Sequence, residues 1–309
     1  MRVALAESLA HIHEAAGRSV DLEEAEVARG LAEIRAHRVS PGIFGRYYEM
    51  VFALQGHRPD DASVLFREIV NLAPAPPIFS VLPFSNDALG ADKERYARIL
   101  SLEKESSLAL TAPETNEWTR FATSVAAALR LIEQADSGLA AEFHAVVVQI
   151  IGAVPLTQNN RGFGGASSFM LWGAVLLNAR LYDATLDMVA ALIHEAAHQV
   201  LFGYSVHAPL VENSIEERYG SPLRTDPRPM DGIFHATFVC ARMHYAYARL
   251  LQGPKNLLSQ TDRQLVQQRL QEYRGKFIEG LETVKRFGRM TANGARILNA
   301  AANYMRSAA

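Results

Sequence analysis

The chain has 309 residues, 49% of them hydrophobic, enough for one large domain or two of ordinary size around a substantial core. Its 31 basic and 33 acidic residues nearly cancel, and no run of Lys or Arg forms a stripe that would track phosphates, so nucleic acid is not an expected partner. One cysteine, Cys240, excludes an internal disulfide and a thiolate zinc cluster and suits a reducing compartment.

The opening "MRVALAESLAHIHEAAGR" carries Glu7, His11, His13 and Glu14 where an export signal needs an unbroken apolar centre. The longest apolar stretch, "AVVVQIIGAVPL" from Ala145, falls short of the roughly 20 residues that cross a bilayer. A cytoplasmic protein with no membrane partner is expected.

Residues 1 to about 70 read as helical. In "DLEEAEVARGLAEIRAHR" Asp21 is a candidate N-cap, with Ala25, Leu31 and Ile34 at helical intervals, and "FGRYYEMVFAL" continues the pattern after Ser40, Pro41 and Gly42. The prolines of "LAPAPPIF" break it, and the expected boundary falls there: an N-terminal helical region over 1–75 and a metal-binding catalytic region over 76–309. Short strand-like pieces follow in "IFSVLPF" and "SLALTA", then a helix around "RFATSVAAALRLIEQA" and a strand after Val146. Gly162, Gly164 and Gly165 read as turn residues before a strand through Phe169, Leu171, Val175 and Leu177.

The segment "LDMVAALIHEAAHQVLFG" is expected to be a helix capped by Asp183 or Thr185 and ended by Gly203. Further helices are expected beyond residue 231: one capped by Asp231 and stopped at Gly253-Pro254, a long one capped by Thr261 with Val266, Leu270, Tyr273, Phe277, Leu281 and Val284 on one stripe, and a last one capped by Thr291. The fold class is therefore α+β, mainly α-helical, with a small β-sheet packed beside an HExxH helix.

That helix raises the question of function. His194, Glu195 and His198 stand among Leu, Val, Ala and Ile, where burying three polar groups costs several kcal/mol unless each finds a partner. Residues four apart share a helix face, so His194 and His198 can each give a nitrogen to one ion, in the manner of a zincin. Glu195 is placed to bond a metal-bound water. A third ligand is needed. Glu216 and Glu217 lie near the spacing used by gluzincins, although their NExxSD companion is missing; His235, a polar residue among apolar ones early in the next helix, is the other candidate. His207 and His244 remain as groups that can stand behind a ligand, and Tyr204, Tyr245 and Tyr247 as pocket-lining aromatics.

"LIHEAAHQVLFG" followed by "SPLRTDPRPMDGIFHATFV" resembles the HExxH-motif proteins that accompany ribosomally made, modified peptides, alone or fused to radical SAM enzymes. The resemblance is best from Gly164 to about Ala248, and Asp226 to Pro229 is its second block. It implies an iron(II) and 2-oxoglutarate-dependent peptide β-hydroxylase acting on a precursor peptide, with a radical SAM enzyme as a possible pathway partner. Its ligands would be His194, His198 and His235, a histidine replacing the usual carboxylate of the facial triad, unless Glu216 or Glu217 supplies that carboxylate instead. Arg228, then Arg224 and Arg242, are the candidates to hold the distal carboxylate of 2-oxoglutarate. Under that reading Glu195 orients neighbours by hydrogen bonding, and "SSFMLWGAVLLN" offers a strand to which an extended peptide can add. The alternative is a zinc metallopeptidase of gluzincin type with Glu195 as general base.

Overall fold

The computed structural model describes residues 1–16, 23–72, 79–102, 109–156, 163–223 and 226–308. The expected cap Asp21, Gly162 and most of the proline-rich boundary lie outside them. The fold is α+β and mainly helical, as the periodicity predicts. The chain divides into two compact units, one of residues 1–118 and 146–181, the other of 119–145 and 182–309.

The first unit begins with α1 (Arg2–Ala16), α2 (Glu24–Ala36), α3 (Pro41–Gln55) and α4 (Pro59–Asn71). Ser40 caps α3, with Pro41 fixing its first turn. The four helices bury Leu9, Ile34, Met50, Phe66 and Ile69 together. α2 and α4 approach so closely that a Cβ on Gly30 would lie 2.7 Å from the Val70 carbonyl.

A five-stranded sheet completes this unit: β1 (Ser80–Pro83), β2 (Leu110–Thr111), β3 (Gln149–Pro155), β4 (Gly165–Ser167) and β5 (Ala174–Asn178). The order is β1-β3-β5-β4, with β1, β3 and β5 parallel, β4 antiparallel to β5, and β2 antiparallel to the end of β3. α5 (Asn86–Leu89) and α6 (Asp92–Leu102) follow β1, and Arg46 of α3 holds Asp92 at 2.7 Å and Glu68 at 2.9 Å.

The strand expected through Phe169 to Leu177 is broken. A 3-10 turn over Phe169–Leu171, capped by Ser168, and Gly173 at φ +96° separate β4 from β5, because the chain must turn back to pair β4 with β5. β5 has β3 on one side and β4 on the other, so it offers no open edge to a peptide.

The second unit contains most of α7 (Thr115–Ala135) and α8 (Ser137–Val146), then α9 (Thr185–Tyr204), α10 (Met230–Gln252), α11 (Gln260–Phe287) and α12 (Ala292–Ser307). Asp136 caps α8 through the Leu139 amide and meets Arg249 of α10 at 2.5 Å. α11 lies tightly on α10, since a Cβ on Gly280 would fall 2.2 Å from Thr237 Oγ1.

Several expected caps are displaced. Ala184, not Asp183 or Thr185, precedes α9, which continues past Gly203 to Tyr204, with Ser205 as its C-cap. Pro229 precedes α10, leaving Asp231 in its first turn, and Ser259 rather than Thr261 caps α11. Thr291 caps α12 as expected, accepting from the Gly294 amide. Among the described residues no helix is long and apolar enough to cross a membrane.

Candidate metal centre

α9 carries His194, Glu195 and His198 at its middle, and α10 carries His235 near its start. The two helices pack against each other, and their histidines meet. His198 Nδ1 lies 3.0 Å from His235 Nδ1, and His198 Nε2 lies 3.2 Å from His194 Nε2. His235 was one of two classes of third partner in the sequence; it is the one brought to the pair. Glu217 is committed elsewhere, to Tyr219, Arg289 and Asn213, which hold its carboxyl down to about 2, and Glu216 is exposed.

Electrostatics follow from burial. Desolvation, then the neighbouring His194 and His235, push His198 well below the usual histidine range. Burial lowers His235 too, against the opposing pull of Asp231. Asp231 Oδ1 sits 3.7 Å from His235 Nε2, one helical turn earlier. That carboxylate favours the proton on Nε2 and leaves the Nδ1 lone pair turned to His198, the pattern in which an acid fixes the tautomer of a metal-binding imidazole. Phe202, one turn after His198, stacks on that ring at 6.3 Å and tilts against His235 at 5.7 Å, walling one side.

Glu195 is buried beside His194, and its charge reaches Tyr182 in the lead-in to α9. Burial, then Glu195 and Asp187, push the Tyr182 phenol up to about 12, so it stays a proton donor at neutral pH.

No protein-family profile and no curated protein matches the chain.

The donor set suits a divalent metal in kind: three imidazoles, two kept neutral by burial, at ligand-like separations. Their orientations do not yet share one focus. His198 turns one nitrogen to each neighbour, so the rings form a chain, and among the described residues no group of three or more His, Cys, Asp or Glu is poised to hold a metal ion. A common focus requires the His198 ring to reorient.

The expected arginines fare differently. Arg228 is held by a two-way backbone bridge with Tyr219 just before α10; its Nε is buried, 2.8 Å from Asp226 Oδ2 but aligned too poorly for a hydrogen bond. Arg242 is bonded to Glu142 and stacked over Tyr245, and Arg224 lies outside the described residues. The tyrosines are used elsewhere. Tyr204 is exposed beneath Arg296, Tyr245 bonds Asp136, and the buried Tyr247 donates to the Leu186 carbonyl. His244 bonds Tyr304, and His207 is exposed. Asp231, Tyr182 and Phe202 were not singled out as site residues by the sequence: an acid in a first turn reads as a cap, a tyrosine in a turn carries no signal, and a phenylalanine in an apolar helix reads as core.

Proposed function

We propose that the chain is an iron(II) and 2-oxoglutarate-dependent hydroxylase of a ribosomally made peptide, with the metal held by His194, His198 and His235. The observation that carries this reading is the third imidazole at 3.0 Å from His198, where a gluzincin places a glutamate. With 2-oxoglutarate and dioxygen, ferrous iron supplies the oxidation of a β-carbon C–H bond to an alcohol, 2-oxoglutarate leaving as succinate and carbon dioxide.

The chain's own groups do the rest. With the His198 ring reoriented, His194, His198 and His235 would supply the three protein ligands and leave the metal's other positions for 2-oxoglutarate and oxygen. Asp231 fixes the His235 tautomer and Phe202 excludes water from the His198–His235 side. Glu195, buried next to His194 on α9, orients what binds there by hydrogen bonding. Arg228, whose buried Nε lies 2.8 Å from Asp226 without a hydrogen bond, is the cation that would exchange that acid for the distal carboxylate.

The test is anaerobic loading with ferrous iron, then oxygen-dependent conversion of 2-oxoglutarate to succinate, with and without peptide. Succinate formation lost in His194→Ala and His235→Ala, and retained in Glu217→Gln, is expected. Tight stoichiometric zinc with Glu195-dependent peptide cleavage and no succinate would replace this reading by the peptidase.

A further inference from the structure

A second feature lies away from the histidines. On α10, Thr237 and Cys240 face α11, which places them on the side of that helix opposite His235 at 100° per residue. There α11 and α12 run antiparallel and leave an open groove of about 210 Å³ whose accessible apolar lining is Ile278, Leu281 and Ala302, over the buried Phe277 and Met305. Ile278 is a large aliphatic side chain left 46% exposed.

The groove carries three cations, Arg274, Lys285 and Arg306, and no carboxylate among its lining residues. None of the three forms an ion pair among the described residues: Arg274 donates to the Met305 carbonyl and Arg306 to the Asn303 amide oxygen. Arg274 and Arg306 stand at one end and Lys285 at the other, a separation along α11 of roughly 16 Å, or three helical turns. An apolar floor between unpaired cations on a chain of net charge −2 calls for an apolar face flanked by acids.

We propose that this groove docks an amphipathic, acidic helix of a partner polypeptide, its apolar stripe on Ile278, Leu281 and Ala302 and its carboxylates on Arg274, Arg306 and Lys285. The docking is independent of the histidine cluster and of the reaction proposed for it.

The experiment is fluorescence anisotropy on the full chain with a labelled helical peptide of about four turns, Leu at i, i+3, i+4 and i+7 and Glu near both ends, beside the same peptide with Lys for Glu. The acidic peptide is expected to bind and the basic one not to, with affinity falling as salt rises. Lys285→Glu with Arg306→Glu, both exposed positions, is expected to weaken the acidic peptide by about tenfold or more and to favour the basic one. Lys285→Gln with Arg306→Gln serves should the reversed pair not fold. Equal binding of the two peptides, binding of neither, or affinity unchanged in the variants overturns the proposal. Sodium decanoate binding that the variants abolish, with no peptide binding, also overturns it in favour of a fatty anion.

Discussion

Asp231 reaches His235 from four residues earlier, across 3.7 Å and from an exposed position, so its hold on the imidazole is electrostatic more than packed. Asp231→Asn removes the charge that sets the tautomer. Its expected effect is a loss of about tenfold in metal affinity, at the low end for such partners. Cobalt(II) titration followed by visible absorption reads it without any turnover, and an unchanged affinity would show that His235 needs no support. At this scale the sequence revealed what spacing can reveal: His194 and His198 by their four-residue interval, and His235 as a polar residue in an apolar run. It could not choose between His235 and the glutamates, because that choice depends on α10 packing on α9. The first-turn position of Asp231 also hid its role, since acids there usually serve the helix end.

Among the elements, the α10–α11 contact is the most exacting. Gly280→Ala would drive a methyl into Thr237 Oγ1, and the expected cost is about 1–3 kcal/mol in a thermal melt. Adding Thr237→Ala should recover part of it, a non-additivity that an origin elsewhere would not produce. α8 offers a second test. Asp136→Ala removes an N-cap and the tie to Arg249, an expected loss of about 1–2 kcal/mol. Burial opposes the Asp136 charge, but the Leu139 amide, the Arg249 guanidinium and the Tyr245 hydroxyl outweigh it, so its pKa lies below the free value of 3.8. The stabilisation is therefore complete above about pH 4 and drains away as pH falls further, and Asp136→Asn should melt with a flatter acid limb. The long helices and β3 were legible from period and β-branched content. β5 was legible through Val175 and Leu177, but β4 and the break before β5 were not, because the turn between them is made by Ser168 and Gly173 inside an otherwise apolar run.

In the whole molecule, the chain passes between its two units three times, near residues 118, 145 and 181. Residues 1–118 consequently lack β3 and β5, which give Ile151, Ala153 and Leu176 to the cluster around Tyr96 and Ile99. A fragment of 1–118 is expected to keep a protease-resistant core within 1–72 and to be cut readily from residue 79 onward, as mass spectrometry of the digest would show. Such interleaving left no mark on composition, which is why only the proline-rich interval suggested a division. It also orders events on the ribosome. The α7 face bearing Phe121, Val125 and Ile132 emerges early, while Arg249, which anchors the neighbouring Asp136, is made 113 residues later. At ordinary elongation rates that wait is on the order of ten seconds. During that interval Asp136 and the N-terminus of α8 stand without their Arg249 anchor, a stretch a ribosome-associated chaperone would be expected to shelter.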